Sequence, residues 1–352
     1  MANYKITDIS QSFAKFDDIL DVRTPAEFSD DHLPGAINIP VLSNEERAIV
    51  GTLYAQISSF EAKKNGAAMI ARNIARHLDE ALLDKPKEWR PLIYCWRGGV
   101  RSSSMAHILS QVGWKTAQLN GGYKAYRRHV VSVLDVLPKK FNFIVICGAT
   151  GSGKSRLLRS LHDQGAQVLD LEELAQHRGS LLGYHPGQQQ PSQKAFESQI
   201  YCSLQGFSTI RPIYVEAESR KIGAISLPAS LIAQIRSAQC IQMEVTLDSR
   251  IELLLEEYSH FLSSKKVLTE RLAFLTELHG KKVIQYWYEM VSQGEWKSLV
   301  KDLLTRHYDP AYKQSTVNNF ELLPKADRLE LTSLSNKNLK SIAMELINKE
   351  KQ

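Results

Sequence analysis

The sequence predicts an α/β protein of two domains followed by a mainly helical part, and three observations carry that expectation. The chain has 352 residues, against about 100–200 for an ordinary domain. Up to residue 137, short apolar runs alternate with helix-like segments, the pattern of a largely parallel sheet covered by helices. After residue 140 a β-branched and aromatic run leads through a glycine-rich turn into a second helix, so an α/β layout starts again.

Taken in order, residues 18–22 (Asp-Ile-Leu-Asp-Val) and 91–95 (Pro-Leu-Ile-Tyr-Cys) read as strands, and residues 103–112 read as the helix after the second. Leu137-Pro138-Lys-Lys140 breaks the pattern and is the expected linker. Residues 141–147 form the next expected strand, with a helix opening near Lys154. Residues 168–171 and 212–218 are the candidate further strands of this domain. From about Thr246 the periodicity is helical. Residues 250–261 have an apolar face with Glu252, Glu256 and Glu257 elsewhere, and Leu339, Ile342, Ala343, Leu346 and Ile347 have the spacing of a packed amphipathic helix. The expected boundaries are 1–137, 138–245 and 246–352, the last part packed on the second domain.

Composition excludes several classes. Hydrophobic residues at 43% and charged residues at 23% exclude a disordered, collagen-like or disulfide-stapled chain. No apolar run approaches the roughly 20 residues of a membrane helix. The opening Met-Ala-Asn-Tyr-Lys-Ile-Thr-Asp lacks the basic cluster and apolar stretch of a secretory signal, so a cytoplasmic location without membrane attachment is expected. Lys plus Arg (44) against Asp plus Glu (38) gives +6, which permits a nucleic-acid partner without demanding one. The four cysteines form no C-x-x-C pair, so neither a zinc site nor a disulfide framework is expected. Cys147, Cys202 and Cys240 read as small buried hydrophobes.

Cys95 differs because it joins an expected strand to an expected helix, where helix dipole and converging N–H groups favour negative charge. In Cys95-Trp96-Arg97-Gly98-Gly99-Val100-Arg101 the two glycines let amides turn inward as an anion nest. Arg97 and Arg101 add positive charge, which would populate the thiolate. Nucleophilic attack on an anion-linked group, or its transfer, is the expected chemistry, with Cys95 and Arg101 as catalytic candidates. Further along, Gly148-Ala149-Thr150-Gly151-Ser152-Gly153-Lys154-Ser155 satisfies G-x-x-x-x-G-K-[ST] between a strand and a helix. Backbone amides there can wrap a diphosphate, Lys154 can reach across it, and Ser155 can hold Mg²⁺. Asp170, Glu216 and Glu218 are candidate metal supports at strand ends, and Arg220 and Lys221 are candidate phosphate or RNA contacts. No adenine-specific signal accompanies the loop.

Asp21-Val-Arg-Thr-Pro-Ala-Glu27, His32-Leu-Pro-Gly-Ala-Ile-Asn-Ile-Pro40, the cysteine loop and Leu119-Asn-Gly-Gly122 resemble the ordered signatures of a rhodanese domain. In that family the loop cysteine carries transferable sulfur. Common single-domain members place the loop arginine five residues after the cysteine, whereas Arg101 is six after Cys95, a loop length shared with cysteine-dependent phosphatases. The longer loop puts thiosulfate in doubt as donor and favours a larger, phosphate-like anion.

Together with His177-Arg-Gly-Ser180, Gln190-Pro-Ser-Gln193, Val215-Glu-Ala-Glu-Ser-Arg-Lys-Ile-Gly223 and His307-Tyr-Asp-Pro-Ala-Tyr312, the two loops resemble the bacterial tRNA 2-selenouridine synthase family. The resemblance implies a transferase that replaces sulfur by selenium at C2 of a wobble 2-thiouridine in the tRNA anticodon loop. It implies selenophosphate as donor, with its producing enzyme as a partner, and geranyl diphosphate as source of an S-geranyl intermediate. No tightly bound cofactor is implied. Cys95 would carry selenium as a selenosulfide, act as acid–base, or anchor the anion. Two rivals stay open: an RNA or small-molecule kinase with a regulatory rhodanese-like domain, and an anion-binding module without turnover. For the tRNA, Lys124, Arg127 and Arg128 share a helix face flanked by Tyr123 and Tyr126, so phosphate contacts and base stacking are expected there.

Overall fold

The computed structural model describes residues 4–9, 13–179, 183, 189–259 and 264–349. Sequence expectations that fall on Met1, Ser180, Gln188 and Phe261 lie outside the described residues. The chain divides into two compact units, Met1–Val133 with Ser192–Cys202, and Leu134–Pro191 with Ser203–Gln352.

In the first unit the described residues build a parallel sheet of β1 (Lys5–Thr7), β2 (Asp18–Asp21), β3 (Ala36–Asn38), β4 (Pro91–Tyr94) and β5 (Ala117–Leu119), in the order β1-β5-β4-β2-β3. All four residues of β4 are buried, as a central strand covered on both faces requires. Helices α1 (Pro25–Asp30), α2 (Asn44–Gln56), α3 (Ser59–His77), α4 (Val100–Val112) and α5 (Gly122–Leu134) belong to this unit, apart from the last residue of α5. Reciprocal capping boxes, Thr24 with Glu27 and Ser43 with Glu46, start α1 and α2. The core gathers Leu20 and Val22 with Ile70 and Ile74 of α3, Ile93, and Met105 and Leu109 of α4.

Two expectations change here. Leu137–Lys140 is not an open linker but a 3-10 turn with Pro138 buried, and α5 runs to Leu134 before it. Residues 192–202, expected in the P-loop domain, complete the first unit instead. Ser198 Oγ donates to Asp31 Oδ2 at 2.9 Å, and Arg127 pairs with Glu197. A segment some 70 to 170 positions away in the chain thus partners Arg127 and joins the Tyr123 hydroxyl in donating to Asp31.

The second unit repeats the strand–helix logic. It contains β6 (Phe143–Cys147), α6 (Lys154–Asp163), β7 (Gln167–Leu169), α7 (Leu171–Ala175) and β8 (Ile213–Glu216). A short hairpin of β9 (Lys221–Ile222) and β10 (Ile225–Ser226) precedes β11 (Gln239–Val245). The described strands of the main sheet are parallel in the order β12-β11-β6-β8-β7, where β12 is Asp327–Leu331. The C-terminal part is therefore mainly helical but supplies an edge strand, which its charged sequence Asp-Arg-Leu-Glu-Leu hides. The expected strand at 168–171 ends at Leu169, because Asp170 accepts the Glu173 N–H and N-caps α7.

The last described helix, Asn336–Lys349, buries Leu339, Ile342, Ala343 and Ile347 beside Leu157 and Leu161 of α6. That packing holds the helix that follows the phosphate loop. A separate helical core surrounds Trp287, whose indole N–H donates to Asp302 at 2.7 Å. No described helix is long and apolar enough to cross a membrane.

Candidate functional site

Each unit places an anion loop where a central strand hands over to a helix. In the first, β4 ends at Tyr94, Cys95 follows, and Gly99 is the N-cap of α4. Cys95 is 3% exposed, with Sγ 3.1 Å from Ser102 Oγ and 3.8 Å from the Gly99 carbonyl. Gln118 Nε2 fixes Ser102, donating to its Oγ at 2.7 Å, and also donates to the Gly98 carbonyl at 3.0 Å.

The start of α5 closes this loop from behind. Tyr123 N–H donates to the Cys95 carbonyl and Lys124 N–H to the Trp96 carbonyl, both at 2.9 Å. Gly122 sits at φ +53°, and a Cβ there would lie 2.1 Å from the Cys95 carbonyl oxygen. Only glycine permits that approach, which gives the Asn-Gly-Gly signature its physical meaning.

Arg101 is already engaged. Its guanidinium makes a bidentate pair with Glu27, Nη1 to Oε2 at 2.6 Å and Nη2 to Oε1 at 3.1 Å. Glu27 also caps the Thr24 N–H. Burial works against the Glu27 charge, but the Arg101 pair outweighs it and holds the carboxyl below its ordinary range. The carboxylate therefore aims the loop arginine.

In the second unit the phosphate loop follows β6. Lys154 Nζ donates to the Gly148 carbonyl at 2.9 Å, folding the lysine back over the loop. Arg250, 7% exposed, donates from Nε to the Thr150 carbonyl at 2.8 Å and pairs with Asp309, which steadies the loop from the helix Leu247–Glu257. A cavity of about 310 Å³ opens over the loop, walled by Arg178, Glu218, Tyr258, His307 and Tyr312. Arg178 lies 4.8 Å over the Tyr258 ring and Lys154 6.0 Å from the Tyr312 ring. Burial and the neighbouring His279, 3.1 Å away, keep the His307 pKa low, so it enters this cavity largely neutral at pH 7.

Carboxylates crowd one side of the loop. Ser155 Oγ donates to Glu172 Oε2 at 2.9 Å, and Glu216 Oε1 accepts the Glu172 N–H at 2.7 Å. Glu216 is 1% exposed and its Oε2 has no hydrogen-bond partner among the described residues. Burial, then the charges of Asp170, Glu172 and Glu218, raise its pKa well above the usual range. Burial and Glu172 likewise push Glu218 up to about 8, and burial lifts Asp170 to about 6. Such a set gains from a cation. Among the described residues, however, no three His, Cys, Asp or Glu side chains are arranged to hold a metal by themselves. Ser155 and Glu172 supply the oxygens placed to hold a cation beside the loop.

Residues 7–129 match the rhodanese-like domain model, and residues 141–275 match the model described as the tRNA 2-selenouridine synthase AAA domain. A tRNA 2-selenouridine synthase of Shewanella halifaxensis is 30% identical over 344 residues, covering 88% of this chain and 90% of that protein. The chain belongs to the tRNA 2-selenouridine synthase family. Family relatives of the same name from Nitrosomonas europaea and Nitrosomonas eutropha are 36% and 35% identical, and there the match spans 66% of each relative's length.

Against the expectations for this family, the structure brings Cys95 to Val100 and Gly148 to Ser155 together as two loops. It redistributes the supporting residues. Asp170 is an N-cap, and Glu172, which the sequence reading missed, takes the place beside Ser155. Arg220 and Lys221 are exposed. The expected stacking surface on α5 is not available. Tyr123 and Tyr126 are 1% and 2% exposed, and Arg127 is tied to Glu197. Their spacing with Val130 and Leu134 is that of the buried helix face, a signal the basic residues obscured. Lys124 and Arg128 are exposed.

Proposed function

We propose that this chain is a transferase that replaces sulfur by selenium at C2 of the wobble 2-thiouridine of tRNA, with selenophosphate as donor and an S-geranyl intermediate formed from geranyl diphosphate. The observation that carries this reading is a complete phosphate loop in one unit and a buried thiol in an anion loop in the other, within a chain of this family. The aromatic walls of the phosphate cavity, Tyr258 and Tyr312, suit an isoprenoid beside its diphosphate.

In the first step the thiocarbonyl sulfur attacks C1 of geranyl diphosphate and the C–O bond to diphosphate breaks. The loop amides and Lys154 stabilise the charge that develops on the leaving diphosphate. Ser155 and Glu172 would hold a Mg²⁺, which would supply neutralisation of part of the same charge. In the second step selenium of selenophosphate attacks C2, and the sulfur departs as geranylthiolate. Water then cleaves the P–Se bond, releasing phosphate and leaving 2-selenouridine. The amides of Gly98 and Gly99 and the cations Arg97 and Arg101 hold the selenophosphate, with Cys95 orienting its selenium toward C2.

The test is mass spectrometry of nucleosides after incubating 2-thiouridine tRNA with the protein, selenophosphate and geranyl diphosphate, each omitted in turn, with an ATP arm. Selenouridine that requires both substrates and no ATP is expected. Product that requires ATP and ignores geranyl diphosphate would overturn the two-step reading and favour the kinase.

A further inference from the structure

A second cavity, of about 530 Å³, opens on the cysteine loop itself, within the size range of small-molecule sites. Val100 and Arg101 of that loop form one end, and facing sides of α2 and α3 form the rest. Small and aliphatic residues shape its floor: Gly51 and Val50 on α2, Ala62, Gly66 and Ile70 on α3. Gly66 lets the two helices close up, since a Cβ there would already touch Val50 at 3.4 Å. Glycine inside a helix lowers its stability against alanine. Gly66 sits at the close approach of the helices, and Gly51 leaves its side of the groove without a side chain.

The groove is carbon-lined, and its rim is cationic. Arg47 and Lys63, both exposed, line it together with the Glu27-paired, half-buried Arg101. No residue of α2 is buried, so this helix offers its apolar side chains to the groove and to solvent, with Tyr54 65% exposed. An anionic backbone outside and an apolar chain inside is the ligand that this distribution fits. The reaction supplies such a ligand. Val100 and Arg101 belong both to the cysteine loop and to this groove, so an apolar substituent on the sulfur of a nucleoside held at that loop has an apolar surface within reach.

We infer that the α2–α3 groove binds the S-alkyl chain of the tRNA intermediate, an inference that rests on the two-step reading above. The groove selects the alkylated nucleoside over the plain thiocarbonyl and keeps the departing thiol out of water. Its ligand class is a flexible isoprenoid chain joined through sulfur to an RNA nucleotide.

The test uses the full chain and anticodon stem-loop RNAs carrying 2-thiouridine, S-methyl-2-thiouridine or S-geranyl-2-thiouridine, with affinities read by fluorescence anisotropy. The wild type should bind the S-geranyl RNA roughly tenfold or more tighter than the S-methyl RNA. Gly51→Leu fills the groove from α2, where a Cβ meets only the movable end of Arg47 at 3.3 Å. Ala67→Leu fills it from α3, at an exposed position. Either variant should bring the S-geranyl to S-methyl ratio close to one and leave 2-thiouridine RNA binding unchanged. A wild-type ratio near one, or an unchanged ratio in two folded variants, removes the inference. Sedimentation that shows a dimer dissolved by Gly51→Leu assigns the groove to a second copy and also removes it. The two-step reading fails separately. Absence of S-geranyl nucleoside with free geranyl diphosphate sinks that reading whatever the affinity ratio. Normal geranylation and selenation by both variants sinks the groove alone.

Discussion

The cysteine loop and the phosphate loop occupy the same place in two parallel sheets, after β4 and after β6, each at the start of a helix. They differ in what closes them. The cysteine loop is shut by backbone donors from α5 and by a glycine whose missing Cβ leaves room for a carbonyl. The phosphate loop is held by side chains, its own Lys154 and the distant Arg250. Their electrostatic surroundings differ as well. Cys95 Sγ faces a hydroxyl and a carbonyl, while Ser155 faces crowded carboxylates. One strand–helix junction thus presents a buried thiol in one unit and a lysine–serine loop beside crowded carboxylates in the other.

The comparison can be broken most forcefully by exchanging losses. Cys95→Ala should cut selenium transfer by at least about a hundredfold while diphosphate binding is kept, and Lys154→Ala should cut S-geranylation on the same scale while supplied S-geranyl tRNA is still selenated. Isothermal titration with geranyl diphosphate and nucleoside mass spectrometry read the two arms. Loss of both steps in either variant would make the loops one site.

Next in size is Gly122→Ala, which sets a Cβ 2.1 Å from the Cys95 carbonyl at a positive φ. It should destabilise the first unit by about 3 kcal/mol or more, read by urea unfolding. A smaller loss would mean that backbone closure of the cysteine loop is dispensable.

A smaller effect sharpens the role of the loop arginine. Glu27→Gln should cost about 1–2 kcal/mol at pH 7, less than a fully buried pair because both side chains reach water. The folded pKa of Glu27 lies below its ordinary value near 4.5, so its contribution is complete above that pH and fades as pH falls through the folded value. Wild type and variant should therefore converge in acid. A constant gap down to acid pH would assign the cost to packing.

The smallest expected effect concerns RNA. With Arg127 paired and the tyrosines buried, Lys124→Ala with Arg128→Ala should lower the salt slope of tRNA binding by at most about one per cation. A larger drop would return the main RNA contact to α5.

What the sequence discloses divides along the same line. Residues 95–101 and 148–155 are contiguous, and their chemistry follows from glycine, charge and their place between strand and helix. Glu27, Gln118, Glu172 and Arg250 gain meaning only when folding brings them to the loops, 16 to 100 positions away. β12 was hidden because an edge strand tolerates charges that read as solvated helix. Tyr123 and Tyr126 were misread because aromatic residues among basic ones fit both an RNA face and a buried helix face, and only packing decides between them.

The excursion of residues 192–202 back into the first unit bears on how the protein is made. A ribosome delivers residues 1–133 first, yet Asp31 and Arg127 gain Ser198 and Glu197 only after β6, the glycine-rich loop and α6 have emerged. Domains ordinarily fold as units during synthesis, at about 5–20 residues per second. Here the amino-terminal unit stays incomplete for on the order of several seconds, with the Asp31 carboxylate met by Tyr123 but not yet by Ser198 and Arg127 without Glu197, while the second unit has already begun. Order of synthesis and order of completion part company, and the helix Gln193–Gly206 closes the amino-terminal unit only after the second has begun.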